Sequence, residues 1–405
     1  MRILILGHNY APELTGIAPY TTELAEHFAA IGHTVTVLTT FPHYPRYHWA
    51  GRPGLFRAEI VGGVDVRRLR VILPRKSNAF WRIIFDTSVG IACLVSAIGA
   101  ARPNLIIGVV PTMQSGFATG LLSKVWRAPA LLLIKDLPLE AGLAVGMLHM
   151  GLLFKAGARF ERLVYRMAGH IVVIGEQFRD NLVAKGVRPD AITVIPDWID
   201  LDRITPAAAE PGARLRLAGS EDGFLVLHTG SMGEKQGLLT VIDACRSLSE
   251  QTKIRVVLVG DGPAKRQLTN AIAELHLDNV RLLEIQPAES FPKMLAAADV
   301  LLLMQRAAII DAVVPSKLLS YMAAGRPIVA AVNPMSVAAK LISDAQCGVL
   351  VPPEDPIRLA DALRDLAANP VLRADLGRRG REHAEANFNK KMILDDWNTL
   401  LTSMA

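Results

Sequence analysis

The chain has 405 residues, too many for one hydrophobic core to serve well, and it is 51% hydrophobic and 20% charged, so two globular domains are expected and a disordered chain is excluded. Its three cysteines, Cys93, Cys245 and Cys347, lie too far apart for a metal or redox motif and read as small buried residues, which sets aside a disulfide-stapled secreted domain. The net charge of +6 is one-sided: residues 1–197 carry 21 Lys and Arg against 13 Asp and Glu, and residues 198–405 carry 23 against 25. Such an excess suits nucleic acid, anionic lipid or a phosphorylated substrate, and the missing nucleic-acid motif disfavours the first.

The N-terminus reads as a buried strand, Arg2–Gly7, and not as a signal peptide. Gly16 to Ala30 reads as a helix stopped by Gly32, and Thr34–Thr39 as a second strand. Val64–Val71, Leu105–Val110, Ala130–Ile134, His170–Ile174 and Ile192–Ile195 continue the series, with helical stretches between most of them. This rhythm predicts a doubly wound parallel sheet. Pro196-Asp-Trp-Ile-Asp200 is a turn-rich link, so one domain is expected over 1–197.

The rhythm repeats over 198–382, with strands at Phe224–Thr229, Arg255–Gly260, Val280–Leu283, Val300–Met304, Pro327–Ala331 and Gly348–Val351. Helices are expected at Gly237–Glu250, Ala264–Leu275, Glu289–Ala297, Ser316–Ala324 and Pro356–Ala368. A last helix over 383–405 has an apolar face that packs on its own domain or crosses back to the first. Two such α/β domains in tandem predict strand C-termini gathered around an interdomain cleft.

Two segments of the first half suit a membrane surface. Ala79 to Ala101 is apolar at helical spacing, its charge-free stretch is shorter than the roughly 20 residues of a span, and Arg67, Arg68, Arg70, Arg75, Lys76, Trp81 and Arg82 cluster near its start. Lys155, Arg159, Arg162 and Arg166, spaced 4, 3 and 4 apart, share one helical face. Both patterns also fit a core-facing helix with a solvated charged side.

Five turns could carry chemistry. Gly16 and Ile17 follow the first strand, where a helix N-terminus would meet an anion. Gly230-Ser-Met-Gly-Glu-Lys-Gln-Gly237 resembles a phosphate cradle, with Ser231, Gly233 and Glu234 along it and Lys235 as a mobile point charge. It lacks the GK[ST] ending of an ATPase loop, and the chain lacks a GxGxxG fingerprint, so ATP, NAD and FAD are disfavoured. In Gly260-Asp-Gly262 the glycines permit close ligand approach, while Lys265 reads as a surface residue. Asp311-Ala-Val-Val-Pro-Ser-Lys317 runs into a helix with Ser316 as N-cap, so Val314, Pro315, Ser316, Lys317 and Ser320 are candidates to hold a diphosphate. Asp136, in Lys135-Asp-Leu-Pro138, either faces the crevice as a proton acceptor or caps its own turn.

Together these segments resemble family 4 glycosyltransferases, in the branch of the colanic-acid-type exopolysaccharide fucosyltransferases. The motifs that carry the likeness are Tyr10-Ala-Pro-Glu-Leu-Thr-Gly-Ile17, Ile106-Ile-Gly-Val-Val-Pro-Thr112, Gly233-Glu-Lys-Gln-Gly-Leu238 and Asp311-Ala-Val-Val-Pro-Ser-Lys-Leu318. The resemblance implies the GT-B fold, retention of anomeric configuration and no metal or other cofactor. It implies a GDP- or UDP-linked sugar on the second domain and, on the first, a polyprenyl-diphosphate-linked glycan at the inner face of the cell membrane. Asp136 and Lys235 become the catalytic candidates. The departures are Ser231 where an arginine is common, Val313 and Ser320 where the family has two glutamates, and Leu133 where close relatives have a histidine. The second glutamate usually holds the donor ribose, a contact that Asp311 or Ser320 would take over. A nucleotide-sugar epimerase that hydrolyses its donor, or a non-catalytic binding protein, fits the same fold.

Overall fold

The computed structural model describes residues 1–13, 16–43, 48–49, 51–76, 78–140, 151–248, 253–309 and 315–404. The chain forms two compact units, residues 1–197 with 391–405, and residues 198–390.

The first unit is built on the sheet order β3-β4-β2-β1-β5-β6-β7-β8. Its strands are β1 (Arg2–Leu6), β2 (Thr34–Thr40), β3 (Phe56–Val61), β4 (Val64–Leu69), β5 (Leu105–Val110), β6 (Ala130–Ile134), β7 (His170–Val173) and β8 (Ile192–Val194). All neighbours are parallel except β3 and β4. The central strands are apolar throughout because both faces are covered. Leu4, Leu6, Leu38 and Ile106 pack with α2 (Ala79–Ser96) and α3 (Met113–Trp126). The alternate residues Ile3, Ile5, Val35 and Val37 are buried as well. Helix α1 is Ala18–Ala30, and α4 (Leu152–Met167) packs on α3. Gly116 and Gly120 of α3 make room for it: a Cβ there would sit 2.8 Å from Val164 and 2.6 Å from Met167.

Strand β3 is absent from the sequence-based expectation. It is largely exposed, with Phe56, Ala58 and Ile60 alternating with Arg57 and Glu59, and it lacks the continuous apolar run of the covered strands. Its signal is the turn: Gly62 and Gly63, at φ +58° and +81°, make the two-residue hairpin that joins Val61 to Val64.

The second unit is parallel throughout, in the order β11-β10-β9-β12-β13-β14. Its strands are β9 (Phe224–Thr229), β10 (Ile254–Val259), β11 (Val280–Leu283), β12 (Val300–Met304), β13 (Ile328–Ala331) and β14 (Gly348–Val351). Leu225, Leu227, Val257 and Leu301 enter one core, and Val226, Val256, Leu258 and Leu302 the other. Winding runs outward one way from β9 and the other way from β12, so the order reverses between them. Loops leaving the C-terminal ends of two such strands part and leave a crevice. In the first unit the reversal falls between β1 and β5.

The C-terminal segment corrects one expectation. The single helix predicted to run from His383 is two, Pro370–Asn387 and Lys390–Met404. Between them Phe388 and Asn389 leave the helical path, where the Ile199 N–H donates to the Phe388 carbonyl (2.8 Å) and Ile199 bridges to Asn389. The last helix belongs to the first unit, where Trp397 meets Phe28 edge-on at 6.3 Å.

Candidate functional site

In the second unit the site grows from the end of β9. Gly230, at φ +111°, turns the chain, and a Cβ on it would stand 3.3 Å from Lys317 Nζ. Gly233, Glu234, Lys235 and Gln236 form a tight turn in which the Gly233 N–H donates to Gln236 Oε1 (3.1 Å). Ser231, Glu234 and Lys235 are exposed.

Gly260 and Gly262 serve this loop. A Cβ on Gly260 would lie 1.8 Å from the Gly230 carbonyl oxygen, and one on Gly262 2.5 Å from that of Met232. The Gly230 N–H donates to Val259, Met232 donates to Asp261, and Ala264 donates to Met232, each at 2.9 Å. Close backbone approach is real, but it is loop against loop. Lys265 pairs with Glu284 (2.5 Å), as a surface residue would.

On the β12 side the helix Ser316–Ala323 begins after Pro315. The expected Ser316 cap is corrected: Pro315 is the N-cap, no side chain caps the helix, and Ser316 is its exposed first residue. The first-turn N–H groups of a helix have no carbonyl within the helix to bind, so the positive end of this one points out of its start. Ser320 Oγ turns back to the Ser316 carbonyl (3.5 Å). Asp311, Val313 and Val314 lie outside the described residues.

Lys317 is the unusual group. Its Nζ is buried with no hydrogen-bond partner, and burial pushes its pKa down to about 8. Three residues that the sequence reading missed lie at the same strand ends. His228 of β9 donates from Nδ1 to the Leu302 carbonyl (3.1 Å), and burial, reinforced by the Lys317 charge, pushes its pKa to about 3, so the imidazole is neutral. The Tyr321 hydroxyl accepts the Thr229 N–H and meets its Oγ1, both at 3.1 Å, pinning the helix to the end of β9. The Arg306 N–H donates to the Lys235 carbonyl (2.8 Å), and its guanidinium pairs with Glu354 (3.1 Å).

In the first unit, Gly16 (φ +68°) and Ile17 precede a helix that starts at Ala18, two residues later than expected, with Ile17 as N-cap. Arg68, 2% exposed, donates to the Ala11 carbonyl (2.6 Å) and the Thr40 carbonyl (3.3 Å) and pairs with Glu59 (2.6 Å). It therefore holds the loops after β1 and β2, and with Arg67 paired to Asp65 it leaves the expected lipid-facing cluster. His8 and Thr112, unforeseen from the sequence, join across the β1/β5 reversal (2.9 Å). Burial depresses the His8 pKa, helped by Arg82 and His43.

Asp136 is half-buried and accepts the Leu137 N–H (2.8 Å), the turn geometry that the sequence allowed. Beside it Lys135 is buried, pairs with Asp197 and lies over the Tyr20 ring at 4.7 Å. Leu133 is interior to the sheet, between Val109 and Val172.

The surface candidates divide. Lys155, Arg159, Arg162 and Arg166 are all exposed on α4, beside exposed Leu152, Leu153 and Leu163. On α2 the exposed face carries Phe80, Ile83, Ile91 and Val95, continued by Ile98, and α3 between the two helices adds Leu121, Lys124 and Val125. Arg82 is corrected as a free surface cation: it pairs with Asp86 (3.0 Å), whose pKa burial raises to about 6 against the pull of that guanidinium. Trp81 instead stacks under exposed Arg75 (5.3 Å). Helix α2 is long and apolar enough to cross a membrane by length and composition, yet its other face, with Phe85, Val89 and Cys93, is core.

Comparison with known proteins agrees with this architecture. Residues 15–198 match the glycosyl transferase 4-like domain and residues 214–383 the glycosyl transferases group 1. WcaI of Escherichia coli strain K12, a glycosyl transferase assigned to colanic acid biosynthesis, is 29% identical over 97% of this chain and 98% of its own. AmsK of Erwinia amylovora, an amylovoran biosynthesis glycosyltransferase, is 25% identical over 94% of each. Among solved structures, sucrose-phosphate synthase from Thermosynechococcus elongatus superposes with a TM-score of 0.75 at 20% identity, covering 100% of this chain and 98% of that one. HepE of Anabaena, solved with UDP, superposes at 0.72 and 17% identity over the full length of both. The fold is GT-B.

The loop contact yields a direct check. Gly260→Ala forces a methyl group into the Gly230 backbone and is expected to destabilise the second unit by about 3 kcal/mol or more in chemical denaturation. An unchanged transition would contradict the contact.

Proposed function

We propose a reaction for this chain, which belongs to family 4 of the glycosyltransferases: it moves a hexosyl or deoxyhexosyl residue from a nucleoside-diphosphate sugar to a lipid-linked glycan, with retention and without a metal ion. The observation that carries the reading is Lys317. A buried ammonium with no partner, framed by a glycine turn and a helix start at the β9/β12 reversal, is complementary to a diphosphate. Support for a nucleotide diphosphate comes from HepE, of the same fold, which was solved with UDP and with UDP-glucose. The likeness to WcaI and AmsK supports an exopolysaccharide or related cell-surface polysaccharide as the product.

In this reading Lys317 and the first-turn N–H groups hold the diphosphate from beneath, and exposed Lys235 closes on it as a mobile charge. As the anomeric carbon–oxygen bond breaks, negative charge grows on the departing phosphate, where fixed positive groups lower the barrier most. The acceptor hydroxyl forms its bond on the face the phosphate leaves, which retains configuration. Its proton passes to the departing phosphate oxygen on that same face. Asp136, with one oxygen already held by the Leu137 N–H, steadies the positive charge of the sugar ring.

The acceptor half of the reading rests on the surface of the first unit. An exposed apolar face on α2, the tip of α3 and the basic, leucine-flanked face of α4 suit an anionic bilayer, with aliphatic groups in the headgroup layer and cations at phosphate level. The chain would then work at the inner leaflet, where a polyprenyl diphosphate presents its glycan.

Two outcomes follow. Lys235→Ala is expected to lower kcat/KM by about a hundredfold or more while leaving the thermal transition in place; near-normal turnover would contradict the diphosphate role. Replacing Lys155, Arg159, Arg162 and Arg166 by Gln is expected to weaken binding to phosphatidylglycerol vesicles at least about a hundredfold, at about 1 kcal/mol per charge. Unchanged co-sedimentation would contradict the membrane face.

A further inference from the structure

We propose that donor binding is linked to the uptake of one proton by Lys317, so that the affinity for nucleotide sugar falls as the pH rises above neutrality. The proposal rests on the donor reading above and adds a regulation of that same site.

The geometry makes the linkage. Lys317 Nζ is closed off from solvent and has no hydrogen-bond partner, and it stands 3.3 Å from where a Cβ on Gly230 would be. Among the described residues no carboxylate pairs with it. From β9 comes His228, neutral and committed through Nδ1 to the Leu302 carbonyl. From its own helix comes Tyr321, whose phenol burial holds protonated up to about 12. From the glycine turn come Glu234 and Lys235, both exposed. Beyond β12, Arg306 is paired with Glu354. An ammonium so placed loses hydration without gaining a counter-charge, which is why its pKa sits near 8 in the free chain.

A diphosphate supplies both the counter-charge and the acceptor oxygens. The bound lysine is then held protonated to well above pH 8. The balance is simple: neutral amine, diphosphate and one solvent proton give an ammonium–diphosphate pair. The sign follows. Below the pKa of the free chain the lysine is charged in both states and no proton moves. Above it, each molecule that binds must first protonate the amine. Affinity is therefore full at low pH and declines as pH rises, to about tenfold weaker at pH 9 than at pH 7.

The test is isothermal titration calorimetry of the full chain with UDP-glucose and with GDP-mannose, whose diphosphates have no ionisation near neutrality. Binding enthalpies are measured at pH 8 in HEPES and in Tris, and their dependence on buffer ionisation enthalpy gives the proton number. We expect uptake of about half a proton at pH 8 and almost none at pH 6.5. Lys317→Arg, which keeps its charge throughout, is expected to bring the uptake to zero. Lys317→Met is expected to do the same with weakened binding, and the thermal transition of each variant reports that it is folded. Binding with a buffer-independent enthalpy would overturn the linkage and leave the donor site standing. Undiminished uptake in the folded variants would overturn the assignment to Lys317. Absence of binding by either nucleotide sugar would overturn both this inference and the donor reading.

Discussion

Burying an ammonium without a partner costs several kcal/mol, and much of the second unit is organised around one. Lys317 reaches under the turn at Gly230, where a Cβ would crowd its Nζ at 3.3 Å and where φ is +111°. That turn is held by backbone contact with Gly260 and Gly262, and the helix carrying Lys317 is fixed to β9 by Tyr321. His228, next to the same strand end, is kept neutral and adds no competing cation. Tight backbone packing around an uncompensated charge is the arrangement on which the proposed diphosphate site rests.

The first unit places its own charges differently. Arg68, Lys135 and Arg82 are buried or half-buried and spent on Glu59, Asp197 and Asp86. They stiffen the loops after β1, β2 and β6 and the start of α2. The cations of α4 lie at the opposite extreme of exposure. The basic excess of residues 1–197 thus has two unrelated uses, which a charge count merges.

The parallel strands were legible in the sequence because residues covered on both faces leave continuous apolar runs, as in Leu105–Val110. Exposed β3 left no such run, although Gly62-Gly63 announced its hairpin. The break at Phe388 could not be read locally: apolar spacing continues through it, and the interruption comes from pairing with Ile199, far away in sequence. The glycine turns and Lys317 were legible as local motifs at strand ends. His228 and Tyr321 were not, since a histidine within an apolar strand and a tyrosine within an apolar helix look like core until distant partners are known. The same holds for His8, whose partner Thr112 lies 104 residues on.

Family membership and fold come from likeness over nearly the whole chain, whereas the chemistry comes from the site. Ser320 and Leu133 stand where the resemblance implies a glutamate and a histidine, and Lys317 is a buried cation, so the proposed reading rests the donor's binding on its diphosphate more than on its ribose. A crystal structure of the chain with UDP bound tests this most directly. The account predicts a phosphate oxygen within hydrogen-bond distance of Lys317 Nζ, beside the Gly230 turn and the Ser316 helix start. A diphosphate bound elsewhere, with Nζ still buried and unpartnered, would contradict it.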